Sequence, residues 1–326
     1  MQRSPLKGWH HTPPVPLRVS PFFAWPPRPM DMLRWIWNSW FLITERLIIV
    51  GLALITVTWF QPPLEETRSF AAGWVLEIYA RNLILMIAVA GGLHLYFYSF
   101  SKQGQKLKYD PRPLMRNGRQ FTLGGQVRDN MFWTLASGVT IWTGYEALLF
   151  WAMANGYAPV ISWSDNPVWF IALFLVIPIW ESFYFYWIHR LLHVPFLYRH
   201  IHALHHRNIN VGPWSGLSMH PVEHLLFLGS VLVHFVIPAG PVHILYHLQY
   251  YALTAATTHT GFEGVLVADK NRMRLGTFHH QMHHRYFECN YGSLEIPWDK
   301  FFGSFHDGTA EADAAIRERR KRFQGG

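Results

Sequence analysis

The stretch Trp187-Ile188-His189-Arg190-Leu191-Leu192-His193, followed by His202-Ala203-Leu204-His205-His206, decides how the chain reads. Its histidines fall at i,i+4 and then at i,i+3,i+4, spacings that place side chains on one face of a helix. The second pattern returns at His280-Gln281-Met282-His283-His284. Seventeen of the twenty histidines lie at or beyond His189, so the enrichment is local and calls for a local cause. Neutral imidazole binds iron, zinc, copper and nickel well, and facing surfaces that carry several imidazoles make a metal cage. Eight grouped histidines exceed the needs of one ion, and two ions with about four to six ligands each match the number better.

Outward from this stretch the chain is apolar. Half of its 326 residues are hydrophobic, 15% are charged and 17% are aromatic, which fits a multi-pass membrane protein better than soluble domains. Apolar segments run over 47–60, with 35–41 leading in, then 82–100, 131–156 and 168–188. Most approach the roughly 20 residues that cross a bilayer. Glu45 and Arg46 interrupt the first. Two shorter segments, 222–237 and 242–258, flank Pro238-Ala239-Gly240-Pro241 and read as a helical hairpin. The fold expected is an all-α integral membrane protein of about four transmembrane helices plus a helical hairpin, with a cytoplasmic His-rich metal-binding cap.

Charge fixes the orientation. Between the second and third spans stand Lys102, Lys106, Lys108, Arg112, Arg116, Arg119 and Arg128 against Asp110 and Asp129. The loops at 61–73 and 157–167 carry little positive charge, so the positive-inside rule puts the N-terminus and the basic loop in the cytoplasm. The fourth span then runs inward to His189, and the hairpin returns the chain to the side it left. All three histidine groups share the cytoplasmic face of a bacterial inner membrane or endoplasmic reticulum. The net charge of +8 is read as orientation and attraction to anionic lipid, not as nucleic-acid binding.

Four regions follow. Residues 1–35 are proline-rich and read as a disordered extension without signal-peptide features, with Met30 and Met32 as internal candidate starts. Residues 36–165 hold the N-terminal transmembrane helices and the basic loop. Residues 166–308 hold the histidine groups, and 309–326 form a basic tail read as a solvated or lipid-facing helix. The single cysteine, Cys289, excludes an intramolecular disulfide and a multi-thiolate metal site.

The candidate ligands are His189, His193, His202, His205, His206, His280, His283 and His284, joined by His220 and His259 from Ser218-Met219-His220-Pro221 and Thr258-His259-Thr260-Gly261. His224 and His279 are further candidates as ligands or as partners of ligands. Nearby carboxylates are few, chiefly Glu181, Glu223, Glu263, Glu288 and Asp299, and these are candidates to orient imidazoles through their second ring nitrogen. Glu181 stands out because a carboxylate inside a span is costly. No H-E-x-x-H run occurs, which removes the common zinc-protease arrangement.

These boxes in this order, with Asn290-Tyr291-Gly292, Trp298-Asp299 and Phe302-Gly303-Ser304 after them, resemble the fatty acid hydroxylase/sterol desaturase superfamily. The resemblance covers roughly residues 179–307. It implies a non-haem di-iron oxygenase that uses O2 and two electrons to hydroxylate or desaturate a C–H bond of a membrane lipid. It also implies two iron ions, for which zinc can substitute, and electrons from a separate redox partner on the cytoplasmic face. The family often carries an aspartate seven residues before the first histidine, whereas here Ser182 stands there beside Glu181. Two other readings stay open from residues alone: a His-rich metal-ion transporter or sensor, and a zinc-dependent membrane hydrolase.

Overall fold

The computed structural model describes residues 8–41 and 44–324, and it is mostly helical. Ten helices organise the described chain: α1 (Pro29–Trp40), α2 (Glu45–Trp59), α3 (Ala72–Ser99), α4 (126–154), α5 (Pro167–Leu192), α6 (195–206), α7 (Pro221–Phe235), α8 (Pro241–Thr258), α9 (Phe278–Tyr286) and α10 (Ala310–Gln324). Their starts follow local chemistry. Asn166 and Thr277 cap α5 and α9 by accepting the backbone N–H three residues on, and Pro occupies the first helical position of α5, α7 and α8. Glu45 and Arg46, which seemed to interrupt a span, instead begin α2 behind the Thr44 cap.

One core joins α2, α3, α4, α5, α7 and α8. Helix α8 is its axis: Ile244, Leu245, Tyr246 and Ala252 are fully enclosed, and α2, α4 and α5 pack around it. Gly216 permits one close approach, because a Cβ there would lie 2.0 Å from the Ala255 carbonyl oxygen. Helices α3 and α5 are long and apolar enough to cross a membrane, and α1 with α2 adds a third if that bent pair is one span. The expected count of about four is thus reached only in part on length and composition. Helix α4 carries Glu146 among Thr, Gly and Trp residues, and α8 carries His243, His247 and Gln249; both sets are polar and turned into the protein interior. Glu146 pairs with Arg81 of α3 and accepts from Asn82 at 3.0 Å, which neutralises a carboxylate that the core would otherwise exclude.

Two features differ from the sequence expectation. Residues 264–274 form an antiparallel hairpin, β1 (Gly264–Val267) with β2 (Lys270–Arg274), Val267 facing Lys270 across the turn. Ala268 and Asp269 take φ of 51° and 58°, the two left-handed residues that a tight hairpin turn needs. The turn lacks Asn-Gly or Asp-Gly, so no sequence signal marks it.

Of residues 1–35, expected to be disordered, 1–7 lie outside the described residues, 8–20 pack as a strap against Tyr109, α9 and the segments at Leu294 and Asp307, and α1 begins at Pro29. Trp9 is buried against Tyr109, Phe278 and Met282, and backbone N–H groups of His10, Leu17 and Ser20 donate to Tyr109, Asp307 and Leu294. Proline prevented a helix here without preventing packing, because the buried Trp9 and these backbone bonds hold an extended strand of chain in place.

Candidate metal centre

The C-terminal end of α5, helix α6, the end of α8 and helix α9 converge, and nine histidines meet there in two adjacent groups. His189, His193, His202, His206 and His283 form one; His205, His259, His280 and His284 form the other. Within each group, ring nitrogens lie within 4.8 Å of one another. The groups adjoin: the His206 and His284 ring centroids are 4.9 Å apart, and those of His205 and His206 are 5.6 Å apart. The i,i+3,i+4 spacing on α9 sends His283 to the first group and His280 and His284 to the second, so one helix serves both.

The ring nitrogens are prepared as acceptors. His189 donates Nδ1–H to the Tyr291 carbonyl at 2.6 Å, His283 to the Cys289 carbonyl at 2.7 Å, and His259 to the Ala255 carbonyl at 2.7 Å. His202 places Nδ1 2.7 Å from the Glu223 carboxylate. A carbonyl or carboxylate only accepts, so each of these imidazoles keeps its proton on Nδ1 and turns a bare Nε2 lone pair inward. Nε2 of His202 has no hydrogen-bond partner at all, though it is buried. Elsewhere Nε2 atoms crowd together: His259 with His284 at 3.0 Å, His280 with His259 at 3.0 Å, and His206 with His283 at 3.0 Å. Ligands at right angles around one ion with metal–nitrogen bonds of about 2.1 Å lie about 3.0 Å apart. Lone pairs at that spacing repel each other unless a proton or a cation lies between them. The donor set therefore fits two ions.

Burial also keeps these rings neutral. It holds His202, His205, His206, His280, His283 and His284 well below the usual imidazole range, and neighbouring imidazoles add to the effect. His193 is pushed down to about 2 and His259 to about 4, again chiefly by burial. A neutral imidazole is the form that ligates a metal.

The other singled-out residues have different surroundings. His220 belongs to neither group; it caps α7, its Nδ1 accepting from Val222 N at 3.2 Å. His224 has both nitrogens engaged by the protein, with Ser137 Oγ at 3.0 Å and the Leu217 carbonyl at 2.9 Å. His279 belongs to neither group, its Nε2 3.6 Å from Asp299. Asp299 accepts from Tyr291 N and Gly292 N, each at 2.8 Å, and from Ser304 Oγ at 2.7 Å. Asn290, at φ 58°, accepts from His306 N at 2.7 Å and donates to the His279 and His306 carbonyls. The Asn290-Tyr291-Gly292 run and Asp299 thus build the loop that offers the Tyr291 carbonyl to His189.

Sequence reasoning missed the Tyr291, Cys289 and Ala255 carbonyls, because a backbone acceptor leaves no mark in residue type. It also missed Tyr251, which lines the space beside the cage. That space is a cavity of about 250 Å³ lined by His189, His202, His205, His259 and His280 and also by Glu45, Arg46 and Glu181. Phe185, Ile188, Leu192, Met219 and Phe227 make its wall mostly apolar. Such a wall suits an apolar ligand segment next to the imidazoles.

Comparison with known proteins agrees with this architecture. The fatty acid hydroxylase family profile matches residues 174–304. A protein of Arabidopsis thaliana that carries the name "Putative Delta(7)-sterol-C5(6)-desaturase 2" is 31% identical over 79% of this chain and 88% of its own length. A Delta(7)-sterol 5(6)-desaturase of Gibberella zeae is 25% identical over 73% of each chain, and the lathosterol oxidase of Rattus norvegicus is 35% identical over 37% of this chain and 40% of its own. No solved structure matches. The chain belongs to the fatty acid hydroxylase/sterol desaturase superfamily and is an oxidoreductase.

Proposed function

We propose that this protein is a membrane-bound, non-haem di-iron oxygenase that uses O2 and two electrons to desaturate or hydroxylate a C–H bond of a sterol-like lipid. The observation that carries this reading is the pair of adjoining imidazole groups, with lone pairs turned inward beside an apolar cavity. In it, His189, His193, His202, His206 and His283 hold one ion, and His205, His259, His280 and His284 the other. Imidazole ligates iron and zinc alike, so zinc can occupy the same cage. When bound, iron supplies the O2-activating redox chemistry that side chains lack.

The chain's own residues do the rest. Glu223 and the Tyr291, Cys289 and Ala255 carbonyls fix tautomer and ring direction, and Asp299 holds the loop that carries Tyr291. Phe185, Phe227 and Met219 align an apolar body and exclude water. The names of the relatives favour a sterol, and the family supports either outcome at carbon: loss of two hydrogens or gain of oxygen. Residues 166–308 form the catalytic domain, set on the membrane helices of 36–165 and followed by the basic tail. The positive charge of the basic loop between α3 and α4 supports a cage on the cytoplasmic side, where a separate redox partner would deliver electrons.

The reading is tested with purified protein loaded with ferrous iron, a Δ7-sterol and a chemical reductant, with and without O2. The expected result is an O2-dependent product two mass units lighter or sixteen heavier. A product that forms equally without O2 and reductant would establish the zinc hydrolase instead. The transporter reading receives no support from α7 and α8: His243 donates Nε2–H to the Phe170 carbonyl and accepts from Gly240 N at Nδ1, and His234 and His247 bond to each other at 2.9 Å.

A further inference from the structure

The cavity beside the imidazoles carries buried polar groups that the protein leaves unanswered. Glu181 of α5 is 3% exposed and lines the cavity, yet neither carboxyl oxygen has a hydrogen-bond partner. His247 Nε2 lies 3.4 Å from one of these oxygens, and that nitrogen already lies 3.0 Å from Ser230 Oγ. Arg46 is committed to Glu295 and to the Tyr250 hydroxyl, and Glu45 accepts from Thr257 at 2.6 Å. Tyr251 of α8 lines the same cavity, is 7% exposed, and its hydroxyl also has no partner. Buried polar groups are ordinarily satisfied, and leaving one bare costs about 1–3 kcal/mol. Two such groups facing one cavity indicate that something else satisfies them.

We propose that Glu181 and Tyr251 form a hydroxyl-binding subsite, in which the alcohol of a neutral lipid donates to the Glu181 carboxyl and accepts from the Tyr251 hydroxyl. The chemistry selects the ligand class. One donor and one acceptor position suit a single hydroxyl on an otherwise apolar body, the sterol class. A free fatty acid would bring a carboxylate against a carboxyl group, and a phospholipid headgroup would need cations that Arg46, already paired, does not offer. Glu181 lies eight residues before His189 on one helix, about 12 Å of axial rise. The anchored hydroxyl and the carbon presented to the imidazoles are therefore different parts of one molecule. Stacking of Tyr251 on Phe227, with centroids 3.9 Å apart, holds the phenol in place. This inference rests on the lipid-oxygenase reading above for the presence of a substrate in the cavity.

The test measures equilibrium binding of three probes to detergent-purified, metal-loaded protein: cholesterol, its 3-deoxy hydrocarbon and its 3-methyl ether. A pair of hydrogen bonds, one to a carboxyl, predicts that cholesterol binds about 10-fold to 100-fold more tightly than the other two. Glu181→Leu and Tyr251→Phe should each remove most of that preference. A melting temperature for Glu181→Leu equal to or above wild type, with the preference lost, separates a ligand-binding role from a structural one, since removing a structural carboxyl would lower it. Should Glu181→Leu fail to fold, Tyr251→Phe carries the test alone. Equal binding of the three probes, binding of none, or a preference that survives in the variants would overturn the subsite. Metal content and O2-dependent product formation, measured on the same preparations, separate the two ideas. If both are intact while the preference is absent, the subsite alone fails; if no metal is held, the oxygenase reading fails.

Discussion

His224 and His243 are as deeply buried as His206 and His283, yet the two pairs live in opposite chemical states. His224 and His243 have both ring nitrogens within hydrogen-bond distance of a carbonyl, a hydroxyl or a backbone N–H. His206 and His283 turn Nε2 toward each other at 3.0 Å, where a neutral pair has at most one proton to share. The contrast shows that burial does not make a ligand. A histidine whose nitrogens are all answered by protein is a packing element; one whose Nε2 is aimed at other bare nitrogens waits for a cation.

The largest effect expected from this contrast comes from alanine at His283. That change removes one imidazole of the first group and should lower oxygenation by more than about 100-fold, beyond the loss typical of residues that merely support ligands. Its metal content, read by mass spectrometry, should fall while the fold is retained. Full activity in this variant would break the distinction.

Glu223→Gln is next. The amide can still accept from His202 Nδ1 but no longer strengthens the ring as a donor, so metal affinity should fall about 10-fold to 100-fold in a competition titration. An unchanged affinity would mean that the Glu223 contact is structural only.

Acid should act on the metal-free protein with a definite sign. His259 is held near 4 and His193 near 2 in the folded chain, whereas an unfolded histidine titrates near 6.5. Between those values the unfolded chain binds more protons, so stability rises with pH there. It should be complete above about 6.5 and fall progressively as pH drops toward 4, visible as a falling melting temperature. A melting temperature that is flat across that window would contradict neutral, buried rings.

The smallest functional effect is predicted for His224→Ala. Loss of its two bonds should destabilise the protein by about 1–3 kcal/mol in a denaturation experiment while leaving metal content at the wild-type value. Loss of metal there would erase the line drawn between the two kinds of histidine.

Much of this was legible in residue order. The i,i+3,i+4 spacing foretold that His280, His283 and His284 would share a helix face, and the apolar runs foretold helices at α2, α3, α4 and α5. Family likeness singled out Asn290-Tyr291-Gly292, and the hydrogen bonds of Asn290 and Asp299 show what the run builds. What stayed hidden depends on three-dimensional meeting. Pattern alone does not divide nine histidines into five and four, because that division is made by the crossing of α5, α6, α8 and α9. His220 carries the same residue type in a family box, yet its side chain is taken by a helix cap. The strap around Trp9 was illegible because proline-rich composition predicts the absence of helix and says nothing about a groove waiting for an aromatic ring. Glu181 was conspicuous as a charge within an apolar run, but its pairing with Tyr251 on another helix needed the packed structure.

The central claim is that two metal ions occupy the cage, one in each imidazole group. Metal per chain, measured on the purified protein after loading with ferrous iron, tests it most directly when wild type is compared with His283→Ala and His284→Ala. Two ions per chain in wild type and close to one in each variant is the predicted result. A single ion per chain in wild type, or two ions that persist in both variants, would contradict it.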